Sequence, residues 1–189
     1  MEHEWQKLKS SDPNTIINKA YIESNEYRRK FDDISENQRL NRVLYGLAKK
    51  MLIHRNGTFY EDMYWIDADT CKVVARELTS QEEKKIIYSK KTKKVIKGKR
   101  NLITIHSHPN GFPPSTEDFN ACYHNHYVFG VVCGHNGKVY VYTSESFISK
   151  GTYLINIHKL KKNGYDENEA QLSTLQKMSV SNKIKVKEV

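Results

Sequence analysis

Apolar residues recur at helical spacing over the first third of the chain. Leu40, Val43, Leu44, Leu47, Met51 and Leu52 fall on one helical face, Ser35 and Gln38 have the spacing of a capping box before it, and Asn56-Gly57 marks its end. The span 14–55 reads as helical, with an earlier, weaker helix beginning at Ser24 in SNEYRRKFDDI. From Thr58 the period changes to two. TFYEDMYWID alternates aromatic with other residues, CKVVAREL is its partner in a hairpin across DADT, and NLITIHSH makes a third strand. STEDFNACYHN is a short helix, and YVFGVVCG with KVYVYT forms a second hairpin around Asn136-Gly137. YDENEAQLSTLQKM is a further amphipathic helix before a basic, strand-like end, KIKVKEV. Strands and helices that interleave after residue 57 predict an α/β or α+β domain. The chain divides accordingly into an N-terminal helical region at 1–57 that packs on the remainder, a central domain at 58–158, and a C-terminal helix with a basic tail at 159–189.

With 189 residues, 38% hydrophobic and 28% charged, the chain has the composition of a globular protein able to bury a sizeable core. The longest apolar runs are a few residues, such as VFGVVC at 128–133, and the N-terminal MEHEWQKLKSSD lacks the apolar stretch of a secretory signal. The expectation is a soluble, cytoplasmic protein that makes no membrane contact. Cys71, Cys122 and Cys133 are widely spaced and form no C-x-x-C pair, so they read as reduced, buried thiols rather than a zinc knuckle. The net charge of +9 is concentrated: nine Lys or Arg lie between Lys84 and Arg100. Such a tract attracts nucleic acid or an acidic protein, although Ile86, Ile87, Val95 and Ile96 would equally anchor a solvated helix face against the core.

The chemistry is concentrated in HSHPNGFPPSTED, residues 106–118. LITI before it is β-branched and apolar, so His106 and His108 lie on a strand, where side chains two apart share a face. Pro109 removes a ladder donor, Gly111 permits a sharp turn, and Ser115 starts a helix whose first turn carries Asp118. Two imidazoles and one carboxylate, with a fourth position open, make the ligand set of a catalytic zinc site. Ser115 and Asp118 also have capping-box spacing, which explains those two residues but neither histidine. His124 and His126 sit where a helix ends and need not share a face, and His54, His135 and His158 are isolated, so none is assigned a metal.

HSHPNGFPPSTEDF resembles the signature of the JAMM (MPN-plus) metalloproteases, H-x-H-P followed by S-x-x-D at a strand-to-helix crossing. The resemblance covers roughly residues 58 to 144 and implies a cytidine-deaminase-like core, a mixed sheet flanked by helices. It also implies that His106, His108 and Asp118 hold zinc and that Ser115 helps stabilise an oxyanion. One departure is plain: six residues separate His108 from Ser115, where the family pattern has seven.

Hydrolysis of an amide needs a group to take a proton from water and pass it to the leaving amine, and a carboxylate suits this task. The resemblance implies a glutamate on an upstream strand. Glu61 is the choice, because period-two alternation places it with Phe59, Met63 and Trp65, whereas Asp62 falls on the opposite face. Glu77 in VVAREL is the main rival, and Glu82 and Glu83 sit in an exposed link. The reading is a zinc metallopeptidase or isopeptidase whose substrate is a protein or peptide, with a ubiquitin-like C-terminal tail as the class suggested by the family. The second reading is an interaction module of the same fold that does no hydrolysis and binds nucleic acid or a large assembly through the basic tract. Bacterial and phage chains with related motifs, including RadC-type proteins, resemble this second case.

Overall fold

A computed structural model describes residues 10–189; residues 1–9, which hold most of the N-terminal stretch that lacks a secretory pattern, lie outside the described residues. A 3-10 turn at Pro13–Thr15 precedes α1 (Lys19–Ile22), α2 (Asn25–Arg29) and α3 (Gln38–Arg55). There follow β1 (Met63–Asp67), β2 (Lys72–Glu77), α4 (Lys90–Ile96), β3 (Leu102–His108), α5 (Thr116–Asn125), β4 (Gly130–Gly134) and β5 (Val139–Ser144). The chain ends with α6 (Lys150–Lys162), α7 (Glu167–Asn182) and β6 (Ile184–Glu188). The six strands form one sheet in the order β2-β1-β3-β4-β5-β6. Only the central β3–β4 pair is parallel, joined by the crossover through α5; the other neighbours run antiparallel. This is the mixed α+β architecture that the interleaved pattern predicts.

Period-two alternation divides the apolar side chains between two cores. Ile103, Ile105, Val131 and Cys133 pack with Leu44, Ala48, Met51 and Leu52 of α3 on one face of the sheet. Met63, Trp65, Val132 and Tyr140 pack on the other face with Phe119 of α5, Tyr153 and Ile157 of α6, and Leu175 of α7. All three cysteines are buried and free. Among the described residues, no helix is long and apolar enough to cross a membrane.

Three expectations need correction. The span 14–55 is not one helix: Asn18 and Ser24 cap the short α1 and α2, and the chain turns again before α3. The cap of α3 is Asn37, whose side chain accepts from the N–H groups of Arg39 and Leu40; Ser35 instead bonds to Asn41, and Gln38 donates to Asp32 O. The first strand begins at Met63 rather than Thr58. The N–H and hydroxyl of Thr58 both bond to Arg55 O, which closes the helix end, and Phe59 O accepts from Lys84 N. One helix, α6, has no counterpart among the predicted elements, although Ser149 caps it and Tyr153, Ile157 and Leu160 are buried at helical spacing.

Candidate metal centre

β3 has paired strands on both sides, so its side chains have fixed directions. Met63 of β1 and Val132 of β4 flank His106 in register. Thr104, His106 and His108 share one face, which the crossover places under α5. Beyond His108 the chain turns at Gly111, whose φ of +66° favours glycine. The same turn passes so close to Gly134 that a Cβ there would lie 2.6 Å from Gly111 Cα. Asn168 of α7 donates to Gly111 O at 3.0 Å, bracing the turn from outside.

The three predicted ligands meet. His106 Nε2 lies 3.1 Å from His108 Nε2 and 3.2 Å from Asp118 Oδ1, and His108 Nε2 lies 3.5 Å from Asp118 Oδ2. His108 Nδ1 faces Phe112 O at 2.9 Å, so Nδ1 carries a hydrogen and Nε2 is the nitrogen left for another partner. His106 Nδ1 is buried without a hydrogen-bond partner, and its ring is held by packing against Tyr142. The capping box is also real: Ser115 N and Oγ both donate to Asp118 Oδ2 at 2.7 Å, and Asp118 N donates to Ser115 Oγ at 3.2 Å. Asp118 therefore closes the start of α5 while presenting its carboxylate to both imidazoles. Burial alone would raise its pKa, but His106 and His108 hold it well below the usual carboxylate value. Burial works the other way on His108, yet the hydrogen bond to Asp118 and the charge of Glu61 raise it to about 9. Among the described residues, His106, His108 and Asp118 are the one His/Cys/Asp/Glu group whose donor atoms could hold a metal ion.

Glu61, His108, Ser115 and Asp118 line one cleft of about 730 Å³. Glu61 is 6% exposed and lies just before β1 rather than within a strand. Burial raises its pKa, while His108 and His106 act to lower it. The rival Glu77 is committed elsewhere: its Oε1 accepts from Ser89 N at 2.8 Å and Ser89 Oγ at 2.6 Å, at the cap of α4. Glu82 is exposed and pairs with Lys85, and Glu83 is exposed.

Asp62 faces away from the cleft. It is 1% exposed, accepts from Arg55 Nε at 2.5 Å, and lies 2.6 Å from His54 Nδ1. No local pattern marks this pairing, because Asp62 and its partners belong to different elements. His124 and His126 lie exposed at the end of α5, where His126 takes a left-handed conformation, and neither joins the metal group. His135 is buried, and its Nδ1 lies 2.6 Å from Thr15 O. The basic tract divides in two: Lys84, Lys85, Ile86 and Tyr88 line the cleft, and α4 packs against β2 with Thr92 and Ile96 buried and its lysines exposed. No family model, curated protein or solved structure matches this chain.

Proposed function

We propose that the chain is a zinc-dependent peptidase or isopeptidase of the JAMM type. The observation that carries this reading is the convergence of His106, His108 and Asp118 at the wall of a cleft that a buried glutamate, Glu61, also lines. Four-coordinate zinc with bonds of about 2.0–2.1 Å has ligand atoms roughly 3.3 Å apart. The separations of 3.1, 3.2 and 3.5 Å fit that figure. Two imidazoles with one carboxylate also suit zinc better than magnesium or calcium, which prefer oxygen ligands.

His106, His108 and Asp118 would hold the zinc ion, which would supply Lewis acidity that acidifies water to a pKa of about 7 and favours attack on a carbonyl. Glu61 takes the proton from the attacking water and passes it to the leaving amine; the burial that raises its pKa brings it closer to the value such a shuttle needs. Ser115 stands on the cleft wall with its hydroxyl directed at Asp118, and rotation about its side-chain bond turns that donor towards a developing oxyanion. The substrate is a protein or peptide, and a ubiquitin-like tail is the class to test first. Lys84 and Lys85 place the start of the basic tract at the cleft, where an acidic substrate surface would meet it.

The test is cleavage of a panel of ubiquitin-like fusions by zinc-loaded protein. Wild type should release the tail, and Glu61→Gln should keep its zinc yet lose about 10²–10⁴-fold in rate. Normal cleavage by Glu61→Gln would overturn the assignment of the base. The second reading, a non-hydrolytic module, rests on the exposed lysines of α4; salt-sensitive nucleic-acid binding by a protein that holds zinc and cleaves nothing would establish it.

A further inference from the structure

The residue after the proposed base belongs to a buried network that catalysis does not use directly. Residues 59–62 precede β1 and have no ladder partners in β2, so regular pairing does not fix Glu61. Two hydrogen bonds between Asp62 and Ser107 do so instead. Asp62 N donates to Ser107 Oγ at 3.0 Å, and Ser107 N donates to Asp62 O at 3.1 Å. Ser107 is the residue between the two imidazoles, is fully buried, and is itself locked in β3 opposite Cys133 of β4. From the other side, the Asp62 carboxylate is held by Arg55 and His54 at the end of α3. Arg55, 2% exposed, is fixed in turn by donating to Leu78 O at 2.7 Å.

Burying an arginine and an aspartate is a poor route to stability, because desolvation offsets most of their attraction. Such a pair does fix geometry, and a displacement of about 1 Å at a catalytic group can cost roughly 10²-fold in rate. We propose that Ser107, Asp62 and Arg55 are positioning residues that set the distance from the Glu61 carboxylate to the His106–His108–Asp118 group. This inference rests on the hydrolase reading for its purpose but not for its test. It makes the C-terminal end of α3 part of the catalytic apparatus.

The test uses zinc alone as the probe. In chelator-stripped full-length protein at a single pH, the Glu61 carboxyl carbon is followed by 13C NMR and assigned from its absence in Glu61→Gln. One equivalent of zinc should move that resonance in wild type. Ser107→Ala should bind the same equivalent of zinc with the Glu61 shift at least halved, and Asp62→Asn should behave alike. If Asp62→Asn does not fold, the Arg55→Met/Asp62→Leu pair, packed without charge, carries the same expectation. On any fusion that wild type cleaves, these variants should lose about 10–100-fold in kcat with KM within about two-fold. An unchanged zinc-induced shift in Ser107→Ala overturns the inference even if the enzyme is active. A wild-type protein that shows the shift but cleaves nothing overturns the hydrolase reading and leaves the positioning role intact. Absence of any zinc-induced shift in wild type overturns both.

Discussion

His135 shows how a single side chain links distant parts of the chain. Its Nδ1 donates to Thr15 O, and its backbone N–H donates to His108 O at 3.1 Å, so it ties the N-terminal segment to the turn after the second imidazole. Burial is the main cause that lowers its pKa to about 4; the Thr15 hydrogen bond and Asp62 oppose the shift, and His108 adds to it. The ordinary value is 6.5, so the unfolded chain binds the proton more readily between those two values. The contribution of neutral His135 to stability is therefore complete above about pH 6.5, and falls away as pH drops towards 4. A shift of this size corresponds to roughly 3 kcal/mol. Thermal unfolding should show wild type losing Tm across that window, with a shallower loss in His135→Gln; parallel curves would place the acid sensitivity elsewhere. In the sequence His135 reads as a turn residue and no more, because its partner lies 120 positions away.

At the level of elements, the legible part is whatever depends on local order. The i, i+2 placement of His106 and His108 on a strand, the turn at Gly111 and the helix start at Ser115 are local, and the structure brings both imidazoles and the Asp118 carboxylate into a group that could hold a metal ion. Period-two alternation in TFYEDMYWID runs further upstream than the strand itself, because a contact from Thr58 back to Arg55 decides where the strand starts. Even so, Glu61 reaches the cleft and Asp62 the opposite face. The cap of α3 lies two residues beyond the expected one because Ser35 and Asn37 compete for that role, and the hydrogen bond from Ser35 to Asn41 leaves the helix N–H groups to Asn37. Asn37→Ala should accordingly destabilise the protein by about 1 kcal/mol, whereas a truly dispensable cap would give no change in denaturation midpoint. Because α3 packs against β3 and β4 and ends at Arg55, the N-terminal helices bear on the candidate site as well as on the core.

Over the whole molecule, charge and chemistry meet at one edge. The tract from Lys84 to Arg100 starts at the cleft and continues along the outside of β2, with Lys90, Lys91, Lys93, Lys94, Lys97, Lys99 and Arg100 all exposed. The net charge of +9 is plain from composition, but its placement beside the cleft is not, since that depends on β2 and β3 flanking β1. A substrate with an acidic surface should bind through this edge: Lys91→Glu with Lys94→Glu should raise KM and flatten its salt dependence while kcat holds. Equal salt dependence in wild type and variant would remove the tract from recognition. Beneath every functional statement lies the assembly of three donors by β3 and α5. The most direct measurement is a calorimetric titration of zinc into chelator-stripped wild type, His106→Ala and Asp118→Asn. The expected result is about one zinc per chain in wild type and at least ~100-fold weaker binding in both variants, the size of a lost ligand. Wild type that takes up no zinc, or variants that bind it as tightly, would contradict the account.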